Sequence, residues 1–361
     1  MKSLMKQQPL PDDGDYSMLK FPYYAAKKLD GIRGCCTPDG DFMSYTEKPF
    51  KADMQEYFAP IVEACKKEQV YLDFEVYGKG LTFQQITSYV AHPPTPMPLR
   101  LCVFDIVGRA DWDHDEKQVI KVQDDFDFEE PEHVDRVKQQ FNERIVRYES
   151  FCKLVDPERK YLFPLPQHPV RNEQELLEQI AEAREKQWEG LILKQFMSYY
   201  QNRRPSIKEG ITYKVKFWQS VDGKIVSFKQ GGTVDVDRAA RDENGEILCN
   251  RRGGMLVDAI GSVGVQITSD CPYKGTVAYC SFTPSAYELR QQMKNTAWAD
   301  RDKWLGLMVE VEYQAVGSKI GGTLRMPRLL RLRPDLDGST FDEPEVKTNK
   351  KPKSFLDDDF E

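Results

Sequence analysis

The chain reads as an α+β protein, an antiparallel-sheet domain followed by a small β-barrel. Three observations predict this. Strand-like segments recur between residues 23 and 218, separated by stretches with helical spacing. After Trp218 the texture changes: Gly231-Gly232, Asn244-Gly245, Gly253-Gly254, Gly261 and Gly264 punctuate short runs of Val, Ile and Thr. Turn signals at that density suit a small barrel. The length, 361 residues, suits two or three domains. The boundary is expected near Phe217 to Asp222, giving domains over 1–218 and 219–345 and a disordered acidic tail over 346–361.

The elements follow in order. Met1 to Tyr16 is polar and contains prolines, which predicts a loose lead-in. Tyr23 to Cys36 reads as a strand, a short turn and a second strand, and Asp39-Gly40 as a hairpin turn into Phe42 to Thr46. Met54, Tyr57, Phe58, Ile61, Val62 and Cys65 have helical spacing, so one helix is expected over 54–67. In Val70 to Tyr77, Leu72, Phe74 and Val76 share one strand face, and Asp73, Glu75 and Tyr77 the other. Two carboxylates on one face belong either to a solvated surface or to a cleft. Phe83 to Val90 predicts a short helix stopped by His92-Pro93-Pro94, and Leu99 to Val107 a buried strand.

The acidic stretch Asp111 to Asp135 reads as a surface loop or insertion. Val134, Val137, Phe141, Ile145, Tyr148, Phe151 and Leu154 predict one long helix over 133–155, and Glu173 to Lys186 a further one. Trp188 to Lys194 is strand-like, with Glu189 at its mouth. Ile211 to Trp218 alternates strictly, which sets Lys214 and Lys216 on one face. In the barrel, Ser285 to Asn295 is expected as a helix, with closing strands over Leu307 to Val316 and Leu329 to Arg333.

Composition narrows the class. No apolar run approaches the roughly 20 residues that span a bilayer. Residues 1–15 lack the apolar core of a signal peptide. A cytoplasmic monomer with no membrane partner is expected. Eight cysteines without a Cys-x-x-Cys pair, and only four histidines, argue against a zinc site or a disulfide framework. Cys35-Cys36 is expected to pack within a strand. The net charge of −7 is uneven: residues 111–135 hold eleven acids against two bases, and residues 357–361 add −4. The remainder is +6, so a phosphate-binding face is open to it.

The chemistry centres on Lys27-Lys28-Leu29-Asp30-Gly31-Ile32-Arg33. Alone it is a charged strand-to-turn connection. A lysine is a nucleophile only as the neutral amine, so it needs cations, a metal ion or burial around it. The chain supplies a candidate nucleophile, Lys28, with Arg33 five residues on. It also supplies carboxylates at Glu75 and Glu189, an aromatic on a buried strand, Phe104, and the pair Lys214 and Lys216. Attack on an α-phosphate needs an amine, a divalent ion held by carboxylates, and cations on the phosphate oxygens. A purine needs a flat stacking partner.

These residues resemble the motifs of the ATP-dependent DNA ligases, within the covalent nucleotidyltransferases. Lys28-Leu29-Asp30-Gly31-Ile32-Arg33 is similar to Lys-x-Asp-Gly-x-Arg, and Asp73-Phe74-Glu75 to Asp-Gly-Glu with Phe74 for glycine. Phe104-Asp105-Ile106 resembles the Phe-Asp-hydrophobic strand. Glu189 to Lys194 is similar to Glu-Gly-hydrophobic-Lys, and Lys214-Val215-Lys216 to Lys-x-Lys. Leu324-Arg325-Met326-Pro327 with Arg333-Pro334-Asp335 resembles the barrel motif Leu-Arg-x-Pro and Arg-x-Asp. Length and domain count most resemble the short bacteriophage-type ligases.

The resemblance implies an ATP-grasp-like nucleotidyltransferase (adenylation) domain and an OB-fold barrel. It implies that Lys28 attacks ATP to form lysine–AMP, which then serves to seal nicked double-stranded DNA in replication, repair and recombination. It implies Mg²⁺, with Mn²⁺ as the alternative, on Glu75 and Glu189, and Glu75 also near the ribose. Phe104 would stack on adenine, Arg33 would meet ribose or phosphate, and Lys214 and Lys216 the α-phosphate. Arg333 and Asp335 would act on pyrophosphate. Lys27, Asp30 and Lys194 of the same motifs join the expected nucleotide site.

Two departures stand out. Ala26 stands where the family often has Glu or Gln, so its adenine contact would come from main chain. Tyr45 stands where Ser-Arg-x-x-Lys has its arginine, in Ser44 to Lys48. Lys48, Arg203, Arg204, Lys208, Arg325, Arg328 and Arg331 are the expected DNA-phosphate contacts. The tail, Lys350 to Glu361, is similar to the acidic, aromatic-ended tails of single-strand-binding replication proteins; it reads as a solubilising end, as a docking segment for a replication protein, or as a DNA mimic on its own barrel. The competing functions are an RNA ligase or mRNA-capping guanylyltransferase with the same lysine chemistry, and a non-catalytic nucleic-acid-binding protein.

Overall fold

The computed structural model describes residues 4–10, 16–113, 139–283, 285–314 and 324–337. The chain divides into two compact units that part between Trp218 and Gln219, with Gln314 grouped with the first, so that one β-strand of the second begins, and another ends, one residue inside it. Most of the acidic stretch 111–135, the start of the helix expected from 133, and the tail 346–361 lie outside the described residues.

The first unit is built from β1 Gln8–Leu10, β2 Tyr23–Lys27, β3 Ile32–Cys36, β4 Phe42–Ser44, α1 Ala52–Tyr57, α2 Ala59–Glu68, β5 Val70–Tyr77, α3 Phe83–Ala91, β6 Arg100–Gly108, α4 Arg109–Asp113, α5 Phe141–Val155, β7 Leu162–Pro164, β8 His168–Val170, α6 Glu173–Glu185, β9 Gly190–Gln195 and β10 Thr212–Lys216. Its strands form two five-stranded sheets, ordered β1-β10-β9-β2-β8 and β4-β3-β5-β6-β7. Each is antiparallel except at one edge, where β1 runs parallel to β10 and β7 to β6.

The local sequence explains most elements. Phe74, in the glycine position of its motif, is fully buried and stacks on Phe42 at 5.6 Å. It joins Leu72, Val76, Leu101 and Val103 in the core of the second sheet. Each such side chain contributes about 1.5–3 kcal/mol on burial. The helix α6 buries Leu176, Ile180 and Ala183 against Leu191 and Val215 of the first sheet. All eight cysteines are free, and Cys35 and Cys36 are buried in β3.

Four expectations change. The helix over 54–67 is two helices that break at Phe58, because Pro60 has no N–H for the Glu56 carbonyl. The helix ending at Val155 starts at Phe141, where Gln140 caps it and the Glu143 side chain accepts from Gln140 N at 2.7 Å. The lead-in contributes strand β1, whose backbone pairs with the edge of β10. The segment 23–36 does not fold back on itself: β2 belongs to one sheet and β3 to the other.

The second unit holds β11 Trp218–Thr233, β12 Met255–Ile267, β13 Val277–Phe282, α7 Tyr287–Lys294, β14 Met308–Gln314, β15 Arg325–Leu332 and α8 Pro334–Asp337. Its five strands form a barrel in the order β11-β12-β13-β15-β14, with β13 and β15 parallel. That is the five-stranded OB-fold. Ile225, Ile260, Val263, Val265, Val309, Val311 and Leu329 fill its interior.

One buried cluster ties the two sheets of the first unit. Asp105 on β6, wholly buried, accepts from Lys194 Nζ of β9 and from Arg144 Nε of α5, each at 2.7 Å. Burial alone would push the Asp105 carboxyl up, but Arg144 and then Lys194 hold it below the usual range. A carboxyl lowered on folding contributes stability above about pH 4, and that contribution is lost as the pH falls through the lowered value. Asp105→Asn leaves two buried cations uncompensated. It should cost about 3–5 kcal/mol at neutral pH by denaturant unfolding, and it should lack that acid-side loss.

Candidate active site

A cavity of about 510 Å³ is lined from both sheets. On the first sheet the register sets a row across three strands. Lys214 of β10 lies opposite Ile192 of β9, and Ile192 opposite Ala26 of β2. Cross-strand neighbours share a face, and all three line the cavity. One step along, Lys216 lies opposite Gly190, whose carbonyl accepts from Lys28 N at 3.0 Å. Residues far apart in sequence thereby flank one glycine. Gly190 has φ +155°, and a Cβ there would sit 1.9 Å from the Val215 carbonyl oxygen, so β9 and β10 can approach only at glycine.

Glu189 precedes that glycine and is 5% exposed. Its Oε2 lies 2.7 Å from Lys28 Nζ and its Oε1 3.5 Å from Lys216 Nζ. Lys214 completes the group, its pKa lowered by burial and then by Lys216, Arg204 and Lys28. Lys28, Lys214, Lys216 and Arg204 line the cavity, and Glu189, not itself a lining residue, pairs with Lys28 and Lys216.

The second sheet supplies the facing wall. A Cβ on Gly31 would meet the Val76 carbonyl at 2.4 Å and Glu75 Cγ at 2.7 Å, so the turn after Lys28 presses directly on β5. Glu75 lines the cavity, half-buried; burial pushes its carboxyl up to about 8 against the pull of Lys28 and Arg33, with Glu189 adding to the rise. Arg33 forks onto Asp73, Nε to Oδ1 at 2.9 Å and Nη2 to Oδ2 at 2.6 Å, and the Tyr200 hydroxyl donates to the same Oδ2 at 2.8 Å. The guanidinium lies 5.4 Å from the Phe104 ring centre and 5.8 Å from that of Tyr45.

Phe104 owes its aim to a bulge. Asp73 lies opposite Asp105 and Phe74 opposite Val103, so Phe104 is the extra residue on β6. Lys194 Nζ donates to the Phe104 carbonyl at 3.0 Å and pins the bulge.

The expected nucleotide residues therefore fare differently. Ala26, Lys27, Lys28, Arg33, Glu75, Phe104, Lys214 and Lys216 line one cavity, joined by Arg204 from the expected DNA set. Lys194 also reaches it, but at 2% exposure its ammonium is committed to Asp105 and the Phe104 carbonyl. Lys27 extends its ammonium over the Trp188 ring, 5.4 Å from the centre, and burial lowers its pKa. Asp30 is not among the lining residues. Asp73, expected with Glu75 on one face, either solvated or lining a cleft, is buried against Arg33, while Glu75 lines the cavity.

Of the remaining DNA candidates, Lys48 and Lys208 are exposed and Arg325 half-buried, while Arg203 pairs with Glu209, Arg328 with Glu312 and Arg331 with Glu310. In the second unit Arg333 holds Asp222 at 2.6 Å and Asp335 at 2.8 Å.

Three lining residues had no signal in the sequence. Lys6 belongs to the supposed lead-in, yet its ammonium lies 5.3 Å from the centre of the Tyr45 ring. Leu165 and Gln167 sit between two strands of only three residues each, too short for periodicity to register.

Residues 16–216, more than half of the chain, match a family model described as ATP dependent DNA ligase domain. Among solved structures, one described as Pmar-Lig_PreS3 superposes with a TM-score of 0.63 at 17% identity, covering 92% of this chain and 68% of that one. Another, described as "DNA binding with a minimal scaffold: Structure-function analysis of Lig E DNA ligases", superposes with a TM-score of 0.57 at 15% identity, covering 92% of this chain and all of that one. At these identities the likeness is one of fold. No curated protein matches the sequence.

The close approach at Gly190 is directly testable. Gly190→Ala must part β9 from β10, and should lower stability by about 3 kcal/mol or more in urea unfolding. A variant with the wild-type midpoint would contradict the packing described.

Proposed function

The chain belongs to the ATP-dependent DNA ligase family, and we propose that it seals nicks in duplex DNA through an AMP carried on Lys28. The observation that carries this reading is the row Ala26, Ile192, Lys214 beside Lys28. It sets two apolar residues and two lysines in one cavity that Phe104 also lines, the groups a nucleotide needs for its base and its phosphates.

Lys28 Nζ must first lose its proton to solvent, while Glu189 Oε2, 2.7 Å away, orients the amine and stays ionised. The amine then forms a bond to the α-phosphorus of ATP while the bond to pyrophosphate breaks. Lys214 and Lys216 take up charge on the α-phosphate oxygens, and Phe104 stacks on adenine. In the second step an oxygen of the 5′-phosphate at a nick attacks the same phosphorus, and the P–N bond breaks to free Lys28. In the third, the 3′-hydroxyl attacks that 5′-phosphate, closing the strand and releasing AMP.

The donor set fits Mg²⁺, or Mn²⁺ in its place. Glu75 and Glu189 are hard oxygen ligands, and no cluster of three or more His, Cys, Asp or Glu occurs among the described residues, so ATP phosphates and water would complete the shell. Bound there, the ion supplies neutralising charge to the phosphates. Arg333 and Asp335 are the proposed pyrophosphate contacts. Lys48, Arg203, Arg204, Lys208, Arg325, Arg328 and Arg331 are the proposed DNA-phosphate contacts, several of which would trade a carboxylate for a phosphate. A monomer serving replication, repair and recombination is part of the same proposal. No helix among the described residues is long and apolar enough to cross a membrane.

Incubation with α-labelled ATP and Mg²⁺ should label the wild-type chain, and Lys28→Ala should abolish the label; a labelled Lys28→Ala chain would remove the assignment. Affinity for a nicked duplex should fall about 10³-fold or more between 50 and 200 mM salt if six or more phosphates are contacted. A flat salt response would exclude a phosphate-led interface.

A further inference from the structure

Ala26 offers no side chain to read a base, and the sheet register points to what replaces it. On its other side β2 pairs with β8: Tyr23 lies opposite Val170, Tyr24 opposite Pro169 and Ala25 opposite His168. Continuing that antiparallel register by one residue sets Gln167 opposite Ala26. The row that begins at Lys214 and runs through Ile192 and Ala26 therefore ends at a carboxamide, and Gln167 lines the same cavity. Leu165 and Phe104 line that cavity with it.

The orientation of this amide has a chemical cause. Gln167 Nε2 points to the Leu165 carbonyl at 3.5 Å, a long contact, and the Tyr148 hydroxyl donates to that same carbonyl at 2.9 Å. A carbonyl oxygen accepts and cannot donate, so it holds the NH₂ end of the amide and leaves Oε1 as the acceptor for a ligand. An acceptor at the edge of a stacked purine suits the 6-amino group of adenine and opposes the 6-oxo group of guanine. From this geometry we infer that Gln167 is the side chain that recognises the adenine edge of ATP, in the place that Ala26 leaves open. The inference rests on the cavity being the ATP site.

The test compares ATP with purine riboside triphosphate, which lacks the 6-amino group, in formation of the lysine adduct. The wild-type chain should show a KM about tenfold lower for ATP, the size of one neutral hydrogen bond. Gln167→Ala should raise the KM for ATP about tenfold, leave the rate at saturating ATP unchanged, and take the two nucleotides equally. Gln167→Met, closer in shape, gives the same readout should the alanine variant fold poorly. A wild-type chain indifferent to the 6-amino group, or a variant that keeps the preference, overturns the inference while the cavity remains the ATP site. A wild-type chain that forms no adduct with ATP overturns the site itself, and the inference with it.

Discussion

The cavity depends on a buried ionic tie between two sheets that, among the described residues, share no hydrogen-bonded strands. Asp105 on β6 receives Lys194 from β9, and Arg144 locks the carboxylate from a third element while also donating to the Gln139 and Ser198 carbonyls at 2.8 and 2.9 Å. Pairs of this kind add little net stability over an apolar core, since desolvation offsets most of the attraction. Their directional geometry does more here. Lys194 spends one donor on the carboxylate and another on the carbonyl of Phe104, so the spacing of the sheets and the aim of the bulged aromatic are held by one ammonium.

Charge inside the cavity is balanced rather than neutral. Glu189 sits between Lys28 and Lys216, and Lys214 and Arg204 add to the positive side. Glu75 faces the same group from the other sheet, and burial holds its carboxyl near 8. Of these cations, Lys28 and Lys216 each have the Glu189 carboxylate as a partner. Glycine makes the crowding feasible on both walls: Gly190 lets β9 meet β10, and Gly31 lets the turn after Lys28 meet Glu75.

The barrel shows the same economy of charge. Arg328, Arg331 and Arg333 each rest on a carboxylate of the same unit, Glu312, Glu310 and Asp222 respectively. Surface pairs of this sort are weak and are readily exchanged.

Much of this was legible in the sequence. Strict alternation sets Lys214 and Lys216 on one face, and Glu189-Gly190 at a strand mouth is where the structure has it. The change of texture at Trp218 coincides with the start of the barrel. These features are local: side-chain period and turn chemistry depend on neighbours a few residues away. Pairing partners are not local, and alternation says only that a segment is a strand. The placement of β2 and β3 in different sheets, which sets Lys28 at the crossover, came from long-range register. The same holds for the bulge that turns Phe104, the commitment of Lys194 to Asp105, the recruitment of Lys6 from the lead-in, and the position of Gln167 beside Ala26. The sequence by itself determined which groups are candidates for the chemistry. Only the tertiary structure decided which of them share a wall, because that depends on contacts between strands distant in the chain.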